Sequence, residues 1–105
     1  MTTNRTKSDS TRVLERLAGG PLTIAVAIKA TREGEGLSQT EFARLLGISR
    51  SHLCDIEKGR KGVSPERAAE FARKLGYSER QWVRFALQDL VDRLGLSFKI
   101  DVRAA

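Results

Sequence analysis

Hydrophobic residues recur with helical spacing through most of this chain, and glycines divide them into segments. Each segment opens with a serine or threonine that can cap a helix and closes near a glycine. The pattern predicts five helices, which follow Thr23, Ser38, Ser49, Ser64 and Ser78. Two of these starts, S-x-x-E at Ser38 and S-x-x-Q at Ser78, have the spacing of a capping box.

The same spacing predicts the core. One face of each of the first four helices is apolar, and these faces are expected to pack together: Ile24, Ala27, Ile28, Phe42, Leu45, Leu46, Leu53, Ile56, Ala68, Ala69, Phe71, Ala72 and Leu75. Residues 1–9 are polar and without periodicity, which is typical of a disordered tail. A further short helix is expected in "STRVLERLAGG", so that the helical domain covers residues 10–95.

The C-terminal part departs from this pattern. The fifth helix is apolar on more than one stripe, which indicates two buried faces, one of them on a partner. In "LSFKIDV" the period changes to two, because Leu96, Phe98, Ile100 and Val102 alternate with polar residues. This alternation predicts a half-buried strand within the C-terminal segment, residues 96–105.

A single strand leaves its backbone donors and acceptors without partners. Three alternatives follow: a frayed tail, an antiparallel ribbon between two copies of the chain, or a strand that joins a small toxin protein. We favour the homodimer ribbon. If the ribbon does not hold the dimer, the fifth helix with Trp82 and Phe85 becomes the expected interface.

Composition narrows the class of protein. Nineteen Lys and Arg residues against 13 Asp and Glu give a net charge of +6 and a pI near 10.1, which favours an anionic partner such as nucleic acid. No apolar run is long enough to span a membrane, and the N-terminus lacks the apolar region of a secretory signal. A single cysteine excludes an internal disulfide. We therefore expect a cytoplasmic protein.

The single histidine and single cysteine, His52 and Cys54, are two residues apart. On a helix their side chains point about 200° away from each other, so they neither share a metal nor act as nucleophile and base. No phosphate-binding glycine loop and no other cluster suggests catalysis. We expect no enzymatic activity, no metal and no cofactor.

A helix-turn-helix explains this region better. "SQTEFARLL" and "RSHLCDIEK" are joined by "GIS", with Ala43 small at the helix contact and Gly47 suited to a left-handed turn. The stretch "LSQTEFARLLGISRSHLCDIEKGRKGVSPERAAEFARKLG" resembles the lambda-repressor/Cro-like helix-turn-helix family of bacterial and phage regulators. The resemblance covers residues 22–76 and implies an all-α, five-helix DNA-binding domain, here with a C-terminal β-strand extension and a helix-turn-helix over residues 39–58.

The resemblance also implies roles for single residues. The third helix lies in the DNA major groove and reads bases, with Arg50 suited to guanine and Asp55 either accepting from cytosine or holding Arg50. His52 and Cys54 either touch DNA or merely pack on the helix flank, and a redox role for Cys54 also stays open. The expected base-reading residues are Arg50, Ser51, Asp55 and His52. The expected phosphate-binding residues are Gln39, Ser49, Lys58, Arg60 and Lys61.

Related proteins pair an arginine late in the first helix with a glutamate at the end of the third, which implies an Arg32–Glu57 lock. Such regulators usually bind palindromic double-stranded DNA as dimers. The sequence leaves open a repressor, a phage Cro-type protein or the antitoxin of a toxin–antitoxin pair. The alternative is a protein-interaction module whose basic surface has no specific DNA site.

Overall fold

The structure is a computed structural model that describes residues 22–105 of the chain. Within this range five helices follow one another: α1 Ile24–Gly34, α2 Gln39–Leu46, α3 Arg50–Glu57, α4 Pro65–Leu75 and α5 Glu79–Arg93. They confirm the predicted all-α domain. The tail predicted over residues 1–9 and the short helix predicted after Ser10 lie outside the described residues.

Each helix begins at a hydroxyl cap. The side chain of the capping residue accepts a hydrogen bond from a backbone amide three residues later at Thr23, Ser38, Ser49, Ser64 and Ser78. At α2 the capping box is complete, because Glu41 Oε1 also accepts from the Ser38 amide at 2.9 Å. At α5 the structure shows the hydroxyl half of the predicted box, from the Gln81 amide to Ser78 Oγ at 3.2 Å.

The apolar faces of all five helices meet in one core. α5 packs mainly on α4 and also on α1, while α3 packs on α2 and α1. The largest fully buried side chains are Phe42, Phe71, Phe85, Ile24, Ile28, Leu46, Leu53 and Ile56. Leu45 is an exception to the predicted core, since 48% of it is exposed. Leu45 and Leu46 are adjacent, so their side chains leave the helix in different directions. Leu46 is the one that faces the core.

The predicted C-terminal strand is wrong: residues 96–105 contain no strand. A strand needs a neighbouring backbone, and here a side chain of α5 takes that place. Gln88 Nε2 donates to the Phe98 carbonyl at 2.8 Å, and Gln88 Oε1 accepts from the Ile100 amide at 2.8 Å. Because the amide of glutamine has the same donor and acceptor as a peptide group, it satisfies two backbone groups of the segment.

The turn between α2 and α3 depends on a left-handed glycine. Gly47 has φ +76°, and the Ile48 amide donates to the Ala43 carbonyl at 3.0 Å. Lys74 of α4 reaches across to the same place, donating from Nζ to the Leu46 carbonyl at 3.3 Å. A Cβ at position 47 would lie 3.2 Å from this Nζ. Both the left-handed conformation of Gly47 and the nearby ammonium group of Lys74 therefore disfavour a residue with a side chain at this position.

We predict that Gly47→Ala lowers the free energy of unfolding by about 1–2 kcal/mol, the cost of a left-handed conformation for a residue with a Cβ. Urea denaturation followed by circular dichroism measures this change. Gly34→Ala is the matched control, because Gly34 ends α1 with a negative φ and open space around its Cβ. Equal losses in the two variants would contradict the special role of the turn.

Candidate nucleic-acid interface

α3 has one side in the core and one side outside. Leu53 and Ile56 are completely buried, whereas Arg50 and Ser51 in the first turn are exposed. Ser49 Oγ accepts from the His52 amide at 3.0 Å and so fixes the start of the helix. The outer side of α3 thus presents polar side chains from a helix whose inner side is held by the core.

Arg50 and Ser51 are the residues of this outer side with the fewest constraints. Arg50 stands at the first position of α3, and within residues 22–105 it forms no ion pair. A guanidinium in this position retains its full set of five donors. The side chain is therefore available to a ligand that offers acceptors, as the edge of guanine does in the major groove.

The far end of α3 is tied to α1 by an ion pair. Arg32 donates from Nε to Glu57 Oε2 at 2.7 Å and from Nη2 to Oε1 at 3.0 Å. The side chains are 14% and 3% exposed, and Arg32 Nη1 also donates to the Leu37 carbonyl at 3.0 Å. The hydrogen bond with Glu57 raises the pKa of Arg32. The two residues are thus in contact, as the family resemblance implied.

Two of the expected phosphate-binding residues make contacts inside the domain. Gln39, the first residue of α2, donates from Nε2 to Glu57 Oε1 at 3.2 Å, so its amide adjoins the Arg32–Glu57 pair. The hydroxyl of Ser49 is engaged as the cap of α3. Both residues lie at helix N-termini, where backbone amides are oriented towards a bound anion. Their contact with phosphate remains a prediction.

The loop after α3, residues 58–62, carries three cations and folds back onto α3. The amides of Arg60 and Lys61 both donate to the Asp55 carbonyl, at 2.8 and 3.2 Å. Their side chains meet the Asp55 carboxylate as well: Arg60 Nε lies 2.8 Å from Oδ1 and Lys61 Nζ 3.7 Å from Oδ2. Lys58 is exposed at the C-cap of α3. Asp55 is therefore paired with the loop and not with Arg50.

These contacts stabilise the charged form of Asp55. The hydrogen bond from Arg60 lowers the pKa of the Asp55 carboxyl group, and the charges of Arg60 and Lys61 lower it further. The same hydrogen bond raises the pKa of Arg60. At neutral pH the loop therefore holds one carboxylate between two cations, with a local charge of one positive unit over these three residues.

α5 supports this loop from behind. Arg93 donates from Nη2 to the Gly59 carbonyl at 2.9 Å and from Nε to Asp89 Oδ2 at 2.7 Å. A Cβ at Gly62 would lie 3.5 Å from Asp89 Oδ2, so the loop passes close over the Asp89–Arg93 pair. The loop backbone is consequently held by α3 on one side and by α5 on the other.

His52 lies on the flank of α3 that faces α4. Its Nδ1 is 3.4 Å from Arg67 Nη1. Because a guanidinium offers only donors, Nδ1 accepts in this contact and the ring proton is carried by Nε2. Burial lowers the pKa of His52, as do the charges of Arg67 and Lys61, while Asp55 acts in the opposite direction. These effects favour the neutral form of His52, in which Nε2 presents an N–H donor.

Cys54 is half-buried on the same helix, with Sγ 3.9 Å from Arg60 Nη2. Among the described residues no three His, Cys, Asp or Glu side chains are arranged to hold a metal ion.

In the part of the chain that the structure describes, no helix has the length and hydrophobicity needed to cross a membrane.

The residues expected at a dimer interface fall into two groups. Trp82 and Phe85 are 2% and 1% exposed, so these side chains pack in the core of their own chain. Their part in a dimer interface remains a prediction. Trp82 stacks on Tyr77 with ring centroids 5.7 Å apart. Leu96 and Phe98 are exposed, whereas Ile100 and Val102 are half-buried.

A comparison with protein families agrees with this geometry. A family profile described as helix-turn-helix matches residues 28–82, just over half of the chain, and covers α2, the glycine turn and α3 completely. The chain belongs to this Cro/C1-type helix-turn-helix family. Its members are DNA-binding transcriptional regulators.

A curated phage protein shows a local similarity. The ImmF control region 10 kDa protein of Bacillus phage phi105 is 49% identical over 37 residues, which are 35% of this chain and 41% of that protein. The match thus spans about two-fifths of the relative's length. This local similarity supports the assignment of the chain to the helix-turn-helix regulators of phages and bacteria.

Several residues that shape this helix-turn-helix domain were not found from the sequence. The Asp89–Arg93 pair has the i, i+4 spacing of a helix-surface pair, but nothing in the sequence connects Arg93 with Gly59, 34 positions away. Arg67 follows the cap of α4, and only the three-dimensional structure shows that its side chain reaches His52 on α3. Both contacts depend on tertiary structure.

We predict that Glu57→Ala lowers the free energy of unfolding by about 3 kcal/mol, because it leaves the mostly buried Arg32 without its carboxylate. Chemical denaturation measures the loss. Glu79→Ala is the matched control: Glu79 forms a similar two-point contact with Arg73, but both side chains are about half exposed, so we expect less than about 1 kcal/mol. Similar small losses of stability in both variants would show that the Arg32–Glu57 pair does not hold α3 against α1.

Proposed function

We propose that this chain is a sequence-specific repressor that binds a palindromic operator as a homodimer in the cytoplasm. The observation that carries the proposal is the outer side of α3: Arg50 and Ser51 are exposed in its first turn and the cationic loop follows its last turn, while Leu53 and Ile56 fix the inner side. A short helix held in this way can enter the major groove without losing its packing.

Arg50 and His52 are proposed to contact bases as donors, with Ser51 between them as donor or acceptor. The fork of Arg50 fits the O6 and N7 acceptors of guanine. His52 presents Nε2–H, which also seeks an acceptor, because Arg67 occupies its Nδ1. The set of donors favours guanine-containing half-sites, since guanine offers two adjacent acceptors in the major groove.

The phosphate contacts are proposed for Gln39, Ser49, Lys58, Arg60 and Lys61. These residues lie at the N-termini of α2 and α3 and in the loop after α3. The net charge of +6 supports such a role. Contacts of this kind supply affinity and register, whereas sequence preference comes from the base edges.

The dimer is proposed to form through the C-terminal apolar surface, which we define as Leu90, Leu94, Leu96 and Phe98. These side chains are between 46% and 66% exposed. Leu90 is in α5 and Leu94 is its C-cap residue, four positions later, so the two lie on the same side of the helix end. A two-fold axis through this surface would present two reading helices to half-sites about 34 Å apart, one turn of DNA.

The same surface supports a second candidate function. An exposed apolar patch is suited to a partner protein, and a small toxin is the partner that an antitoxin would bind there. A protein-interaction module with no specific DNA site would use this patch and the basic loop alone. Selective binding of a palindromic duplex distinguishes a DNA regulator from such a module.

Nuclease footprinting tests the proposal directly. We expect protection of an inverted repeat in the DNA upstream of the protein's own gene, with a clear preference over random duplex of equal length. Equal affinity for the two duplexes, without a protected site, would overturn the repressor proposal and leave the interaction module.

We predict that Arg50→Ala costs about 1–3 kcal/mol at the operator and relaxes the base preference at one position in each half-site. The double variant Arg60→Ala with Lys61→Ala should weaken operator and random duplex alike and reduce the salt slope by at most about two. Fluorescence anisotropy over a salt series measures both. An unchanged preferred sequence in Arg50→Ala would place a different face of α3 in the groove.

We predict that changing Leu90 and Leu94 together to lysine raises the dimer dissociation constant at least about 100-fold, since four partly buried leucines are lost per dimer. Sedimentation equilibrium gives this constant. Leu45→Lys is the control, because Leu45 is 48% exposed on a different helix. A double variant that remains as dimeric as the parent would exclude this surface as the interface.

A further inference from the structure

The Asp55 carboxylate has both of its oxygens directed at cations of the adjacent loop. Oδ1 lies 2.8 Å from Arg60 Nε and Oδ2 3.7 Å from Lys61 Nζ. The Asp55 side chain is 23% exposed, whereas its partners are 56% and 60% exposed. A carboxylate that is engaged in this way has lost part of its capacity to accept a hydrogen bond from a base.

The backbone of the loop does not depend on this carboxylate. The amides of Arg60 and Lys61 donate to the main-chain carbonyl of Asp55, and Arg93 donates to the carbonyl of Gly59. Removing the carboxylate charge would therefore release two side chains while the loop kept its path. Each released cation would have a full charge available for another anion.

We propose that Asp55 serves the loop and not a base: it is a positioning residue that holds Arg60 and Lys61 and competes with DNA phosphates for their charges. This inference rests on the proposed function, because the competing anion is the phosphate of duplex DNA. It changes the role that the family resemblance gives to position 55. The carboxylate sets how strongly the loop attracts any duplex, independently of its sequence.

The test compares Asp55→Asn with the wild-type chain on the operator and on a random duplex. We expect Asp55→Asn to bind random duplex about two- to fivefold more tightly, the gain that corresponds to losing exposed ion pairs. The salt slope should become steeper, by up to about 0.9 for each additional phosphate neutralised. The preferred base at every operator position should remain that of the wild type.

Glu79→Gln is the matched control. It also removes one negative charge from an exposed arginine pair, with Arg73, but at the junction of α4 and α5. An effect of total charge alone would appear equally in both variants. Equal tightening in the two variants, or weaker binding by Asp55→Asn, would overturn the inference. A changed base preference at one position per half-site would overturn it as well and establish Asp55 as a base reader.

A second measurement needs no DNA. In the wild-type chain, the Nε–H of Arg60 should exchange slowly with water in nitrogen-15 NMR spectra, and this exchange should accelerate in Asp55→Asn but not in Glu79→Gln. Equal exchange in all three chains would overturn the holding of Arg60. If Asp55→Asn accelerates exchange but no chain binds any duplex, the proposed DNA function fails and the competition with phosphate fails with it, while the ion pair stands.

Discussion

The carboxylate of Glu57 is the constraint on which the position of α3 depends. It is a charged group with a side chain only 3% exposed, so its charge has to be matched inside the protein. Arg32 matches it with two hydrogen bonds and Gln39 adds a third. Because these partners come from α1 and α2, one side chain at the end of α3 ties three helices together.

α3 could not keep its position by its own stability. It contains 8 residues, fewer than an isolated helix needs to form in water. Its start is fixed by the cap at Ser49, its middle by Leu53 and Ile56, and its end by Glu57. Arg50 and Ser51, which are proposed to contact bases, are thus not among the residues that hold the helix in place.

Local patterns predicted most of this fold, because caps, left-handed glycines and apolar spacing are properties of short segments. The capping box of Ser38 and Glu41 and the turn at Gly47 are examples, and both behave as their sequence context indicates.

Three predictions failed or were not possible from local patterns. Leu45 was wrongly assigned to the core because only one of two adjacent leucines can face inwards. The strand over residues 96–102 failed for another reason: alternation indicates which residues can be half-buried but not what pairs with the backbone, and here Gln88 does. The partners of Asp55 were likewise not predictable from helix spacing, since they lie in a loop whose path is set by Arg93.

In the proposed complex the outer side of α3 lies in the major groove of DNA. Methylation by dimethyl sulfate tests it most directly, because the reagent attacks guanine N7 in the major groove and adenine N3 in the minor groove. We predict that the bound protein protects guanine N7 atoms in two half-sites one helical turn apart and that their prior methylation blocks binding. Protection confined to adenine N3, with guanine N7 fully reactive in the complex, would contradict it.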